Sequence, residues 1–357
     1  MDFINNVKNS YNSTSYSTYL EVREHVIDMM NHQLDNLLTS NYWKEEIEGF
    51  DYMFDASPLL INKLREHCYH ITGIRSYEYR DHHRNNSVHY ENKLNTLKGL
   101  DENNCLYIPE NPILGGFGHN IDGDLVNIDT LKFYESLIAL EKMGIISQLK
   151  NHSSRKHVVI EIGAGWGGFA YQFRQIIPNH TYIIIDLPQT ILFSGTYLKT
   201  IFPKSNHLFY SNINEDLKQE NIDNYDFIYI PNFCIEHIKI NKVNLAINMV
   251  SFQEMTNNQV NSYLENLIKM NCKYLYSHNR DRSKYNNEIE SVRECIKGYF
   301  NIDEYKLLPQ TYVEFGRVLE KNSFIGSSVR RMKDFLGINH SSNTPFHYRH
   351  VLGRNKI

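Results

Sequence analysis

Two acidic residues framing a glycine turn are the first chemistry the chain offers. Glu161 follows the β-branched run Val158-Val-Ile160, Gly163, Gly165 and Gly167 alternate after it, and Asp186 ends the apolar run Tyr182-Ile-Ile-Ile185. Glycine tolerates backbone angles closed to other residues and lets a ligand approach the chain. A helix starting here would aim its unpaired N–H groups at that ligand. Asp186, at a strand end, is suited to accept hydrogen bonds from ribose hydroxyls. The pattern suits a nucleotide cofactor, but which one stays open. Gly168 also completes the Gly-x-Gly-x-x-Gly dinucleotide spacing, and a ribose-binding acid serves either case.

Two further residues could move a proton. Glu254 lies in Ser251-Phe-Gln-Glu-Met255 and His278 in Ser277-His-Asn-Arg280. A carboxylate or a neutral imidazole near pH 7 can take the proton of a hydroxyl. Each also has a plainer reading, Glu254 as an acid favoured near a helix start at Thr256-Asn257 and His278 as a supporting residue after a strand. Asn279, Arg280 and His119 are candidates for holding an oxygen-rich substrate, with His237 a weaker alternative base. Asp81, His82, His83 and His89 lack metal-ligand spacing, since adjacent ligands point apart and no His-Glu-x-x-His occurs. No metal ligand is therefore assigned. A divalent cation such as Mg²⁺ stays compatible with the chain, with Asp281 and Glu254 as the carboxylates that could converge in space.

Glu161 with Gly163, Gly165 and Gly167 resembles the first motif of the class I S-adenosylmethionine-dependent methyltransferases, an acid followed by Gly-x-Gly-x-Gly. Asp186-Leu-Pro188 is similar to the second-strand end of small-molecule O-methyltransferases. Asn244 to Met255, Asn111-Pro112 and Asn127 to Leu131 resemble segments of sugar O-methyltransferases found in bacterial surface-polysaccharide and natural-product gene sets. The likeness spans roughly residues 50 to 320. It implies an α/β fold, a Rossmann-like sheet with helices on both faces and a C-terminal antiparallel hairpin, preceded by a mainly helical region. It also implies S-adenosylmethionine as cofactor and methyl transfer to a hydroxyl of a sugar or glycoconjugate. O- or N-methylation of another small molecule is the near alternative, and a non-catalytic binding or assembly protein the distant one. Under this likeness Glu161 contacts the donor's amino-acid part, Gly163, Gly165 and Gly167 give it close backbone approach, and Asp186 with Leu187 holds the ribose. Asn232 is the polar residue beside adenine, and Trp166 either covers the cofactor or wedges the first core helix against the sheet.

These residues need elements to position them. Residues 1–18 read as a loosely ordered start, followed by a helix over 19–38 that packs on its own domain or covers a partner subunit, which would make a homodimer. Ser57-Pro58 caps a short helix. Residues 111–123 hold four glycines and read as a loop, a connector or a substrate-facing lid. A helix follows from Asp129, then a strand, the glycine turn and a helix to about Ile177. Strands are expected at Tyr182–Ile185, Leu245–Met249 and Tyr274–Tyr276, with a helix over 259–270. Of two candidates, Asp226–Ile230 is favoured as the third core strand and His207–Tyr210 as an inserted edge strand. The sheet closes with 303–308 and a returning strand near 312–315. The resulting units are a substrate or oligomerisation region at 1–125, a cofactor domain at 126–325 and an irregular extension at 326–357.

The chain has 357 residues, 37 Lys plus Arg against 41 Asp plus Glu, and a net charge of -4, which gives no basic excess to favour nucleic acid. No apolar run reaches the ~18 residues a membrane helix needs, so no membrane insertion is expected. Five cysteines without paired spacing suit free thiols in a reducing compartment, hence a cytoplasmic setting. Asn-x-Ser/Thr triplets at Asn12 and Asn151 are then chance matches.

Overall fold

A computed structural model describes residues 3–32, 40–80, 87–150, 156–210, 216–283, 286–309, 311–312 and 346–356. Eight strands form one sheet: β1 His157–Ile162, β2 His180–Asp186, β3 His207–Phe209, β4 Phe227–Pro231, β5 Val243–Met249, β6 Cys272–Asn279, β7 Phe300–Tyr305 and β8 Arg349–Asn355. Their order is β7-β8-β6-β5-β1-β2-β4-β3. All neighbours run parallel except β8, which is antiparallel to both β6 and β7. Central strands of such a sheet are covered on both faces, so β1, β2 and β4 are nearly continuous apolar runs.

Helices cover each face. One side carries α1 Thr14–Asn31, α2 Ile128–Lys142, α3 Gly168–Ile176 and α4 Pro188–Ile201, packed in one core with Val159, Tyr182 and Leu245 of the strands. The other carries α5 Asn257–Lys269 and α6 Val292–Tyr299, with Ile160, Ile183 and Ala246 facing them. The local starts follow from their caps. Asn127 accepts the N–H of Thr130 at the head of α2, Ser57 caps the Pro58–Ile61 turn, and Thr256 with Gln259 closes a reciprocal capping box on α5.

Phe227–Pro231 pairs with β2, and His207–Phe209 forms the edge beyond it, as the sequence suggested. Three expectations need correction: the loose start, the returning strand near 312–315 and the irregular tail. Residues 3–11 and 14–31 are helical rather than loose. The buried face of α1, Tyr19, Val22, Val26 and Met29, lies on its own domain, with Val22 beside Gly195 of α4 and His25 stacked on Phe209 at 4.9 Å. The partner of β7 is β8, from the far C-terminus, and not a strand at 312–315, of which all but Tyr312 lies outside the described residues. The end of the chain is thus a sheet strand instead of an irregular tail. Asp81, His82 and His83 also lie outside the described residues. Among those described, all five cysteines are unpaired, and no helix is long and apolar enough to cross a membrane.

Candidate functional site

A cavity opens at the carboxyl ends of β1, β2, β4 and β5, where parallel sheets bind ligands. Glu161, Gly163, Gly165, Trp166, Asp186, Leu187 and Asn232 all reach its wall, as does Glu254 from the turn after β5. Most of the residues nominated from the sequence for a cofactor, and Glu254 of the two nominated bases, thus share one cavity.

The glycine turn needs its glycines. Gly163 and Gly165 have φ of +74° and +59°, in the left-handed region. A Cβ on Gly163 would fall 2.1 Å from the Ser251 hydroxyl oxygen, and one on Gly165 would crowd Ile71 at 2.9 Å. Asp186 ties the turn to β2: its Oδ2 accepts the Gly165 N–H and its Oδ1 the Leu187 N–H, each at 2.8 Å. Burial pushes the Asp186 carboxyl up to about 6 against those bonds. Glu161 is 2% exposed and accepts the Tyr182 hydroxyl at 2.8 Å. Burial pushes its carboxyl up to about 8. At the end of β5, Val250 takes φ +60°, rare for a β-branched residue, held by its N–H to the His278 carbonyl at 3.0 Å. Such strain collects at functional sites.

The raised pKa of Glu161 has a sign. The folded state holds its proton above the pH where the unfolded chain releases it, so stability is fullest below about 4.5 and falls as pH rises toward about 8. Glu161→Gln keeps an acceptor for Tyr182 and removes the titration. The variant is expected to recover about 2 kcal/mol of stability lost by the wild type between pH 5 and pH 7. Urea titrations at both pH values check this, and parallel pH dependences would refute it.

Trp166 belongs both to the cavity wall and to a buried polar network. It lines the cavity, yet its indole N–H reaches Asp129 Oδ2 at 3.2 Å and its ring lies under the Arg65 guanidinium at 3.8 Å. Arg65 is wholly buried, with Nε 2.7 Å from Glu110 Oε1 and Nη2 2.7 Å from Asp129 Oδ2. Asp129 also holds Lys132 at 2.7 Å, and Lys132 enters the cavity wall. Sequence reasoning missed Arg65 and Lys132, although Asp129 and Lys132 share a helical face at i, i+3. It also missed Ser40, Trp43, Ile71 and Thr72, which the region before α2 brings to the wall. Tyr263 and Gln259 reach it from α5.

Other candidates sit elsewhere. Gly167 caps α3 at φ +83° and leaves the cavity wall to its neighbours. His278 is 0% exposed and outside that wall, with Nδ1 3.1 Å from the Ser136 hydroxyl. Burial holds its pKa well below the ordinary value, so it stays neutral, but it has no access to an acceptor. Asn279 donates from Nδ2 to Asn248 and Ser277, and Arg280 from Nη2 to Ser283; both residues are buried outside the wall. His119 packs between Tyr79 and Tyr90 in a short hairpin, and no residue of 111–123 lines the cavity, against the lid reading. His237 faces Asp216 at 3.6 Å, outside the wall. Asp281 binds Ser291 at 2.8 Å and does not meet Glu254 in a ligand set among the described residues.

No protein-family model and no curated protein sequence matches the chain. Solved structures do. The bifunctional kinase-methyltransferase WbdD is similar at 15% identity and a TM-score of 0.36, over 73% of this chain and 47% of its own. The chain therefore spans just under half the length of WbdD. An O-methyltransferase family protein from Burkholderia thailandensis follows at 12% and 0.32, over 64% of this chain and 59% of its own. Phosphoethanolamine N-methyltransferase 2 of Haemonchus contortus, in complex with S-adenosylhomocysteine, stands at 10% and 0.32, over 59% and 51%. The mostly parallel sheet with its antiparallel β8 is a Rossmann-like α/β fold.

Proposed function

We propose that the protein is an S-adenosylmethionine-dependent O-methyltransferase acting on a hydroxyl of a sugar or glycoconjugate. The observation that carries the reading is the meeting of Glu161, the Gly163–Gly165 turn, Asp186 and Glu254 in one cavity at the strand ends. That wall suits a sulfonium nucleoside. It offers the polar oxygens of Glu161, Asp186 and Glu254, and the rings of Trp43, Phe133, Trp166 and Tyr263 to pack on a base or a cation. Asp186 retains acceptor capacity for ribose beyond its two backbone bonds.

When bound, the donor supplies an electrophilic methyl group. The chain's task is to align an acceptor oxygen with it and to take that oxygen's proton. Glu254, half-buried at the cavity wall, is the proton acceptor in this reading, and the polar side chains of Ser40, Thr72 and Gln259 are suited to hydroxyl groups. The choice of a sugar rests on the likeness of Asn244 to Met255 and the segments before α2 to sugar O-methyltransferases.

Calorimetric titration with S-adenosylmethionine and, separately, NAD tests the cofactor. Binding of the methyl donor alone is expected, and binding of NAD alone would overturn the reading. Transfer of labelled methyl to nucleotide sugars and saccharides then tests the acceptor. Asp186→Ala is expected to weaken donor binding roughly 10- to 100-fold, the worth of a charged hydrogen bond. An unchanged dissociation constant in a folded variant would remove its ribose role.

A further inference from the structure

Beneath the cavity, one helical turn along α2 from Lys132, three side chains converge that the methyl-transfer reading does not use. Glu135 comes from α2, His278 from β6 and His350 from β8, directly across from His278 in the antiparallel register. All three are 0–1% exposed, and one donor atom from each lies within 4.8 Å of the other two. The imidazoles stack with centroids 4.1 Å apart, and His350 Nε2 is 3.0 Å from Glu135 Oε1.

The atoms that face away from this point are each anchored. Glu135 Oε2 accepts the Tyr312 N–H at 2.8 Å, His350 Nδ1 pairs with the Tyr276 hydroxyl at 2.8 Å, and His278 Nδ1 pairs with the Ser136 hydroxyl at 3.1 Å. Ser136 donates its own proton to the Lys132 carbonyl at 3.0 Å, so it accepts from His278 Nδ1–H. That tautomer leaves a bare lone pair on His278 Nε2, which is buried and without a hydrogen-bond partner among the described residues. A buried imidazole nitrogen without a partner is costly. Outer atoms fixed by hydrogen bonds and inner atoms left to converge are how metal-binding histidines and carboxylates are held.

We propose that Glu135, His278 and His350 form a binding site for a divalent transition-metal ion of the zinc class. Two imidazoles and one carboxylate make a donor set suited to that class, and harder ions such as Mg²⁺ favour all-oxygen sites. The ion clips β8, which arrives from the far end of the chain, to β6 and α2. It lies behind the cavity wall, so its role is structural, and the inference stands whether or not the cavity binds a methyl donor.

The test uses the full chain without a polyhistidine tag, stripped with chelator, dialysed, and loaded with Co²⁺ or Zn²⁺. About one equivalent should survive gel filtration, the Co²⁺ form should show visible d–d absorption, and Zn²⁺ should raise the melting midpoint by several degrees. His278→Asn should abolish retention and the midpoint shift. Retention below about a tenth of an equivalent with an unmoved midpoint would overturn the proposal. Equal retention by His278→Asn would overturn it as well. Should that variant fail to fold, the stoichiometry and chelator response of the wild type decide alone.

Discussion

Glu254→Gln is expected to lower kcat by about 10²- to 10⁴-fold, the usual worth of a positioned general base, with donor affinity held within about twofold. Glutamine keeps the shape and a hydrogen-bonding oxygen but cannot take a proton. The residue sits in the turn after β5, on the wall shared with the glycine turn and Asp186, where the proposed reaction brings acceptor and methyl group together. The split between kcat and donor binding separates a proton acceptor from a residue that shapes the pocket, which would move both. Single-turnover transfer with donor at saturation gives the first quantity and calorimetry the second. An unchanged kcat removes Glu254 from the proton-transfer step and leaves the cofactor site untouched.

Arg65→Met is expected to cost about 3–5 kcal/mol of stability, because removing one partner of a buried ion pair strands the others. Arg65 is bonded to Glu110 and Asp129 and lies against Trp166, with no exposed surface. Asp129 keeps Lys132 and the Trp166 indole, but Glu110 keeps only the side-chain amide of Asn127 among its described polar partners. The uncompensated charge is therefore mainly that of Glu110, and Arg65→Met with Glu110→Gln should regain much of the loss. Because Trp166 belongs to the glycine turn, the single variant should also bind the methyl donor more weakly. Denaturant unfolding of both variants measures the first effect, and a loss under about 1 kcal/mol in the single variant would show that the network is not a stabilising clamp.

The glycine-turn half of the cavity was legible because its signals are local. Three glycines two residues apart, an acid two positions ahead and an acid closing the next apolar run require no distant partner, and Glu161, Gly163, Gly165 and Asp186 duly meet. The acceptor half was not legible to the same degree. His278 looked like Glu254, a polar residue where a strand ends, yet the strand continues to Asn279 and its period of two decides the outcome. His278 shares a face with Tyr276, toward the buried flank of α2, and the cavity wall is built by others. A strand covered on both faces gives little hydrophobic contrast from which to read that choice.

By itself, then, the sequence determined the strands, the helix caps and the glycine turn, since each depends on side-chain periods and backbone preferences within a few residues. Only the tertiary structure decided that 349–355 would slot between β6 and β7, that residues before α2 would wall the cavity with Trp43 and Ile71, and that Arg65 would hold Trp166. Those choices pair segments tens to more than two hundred residues apart, where burial, register and charge neutralisation across the whole molecule select the partner and no local pattern encodes it.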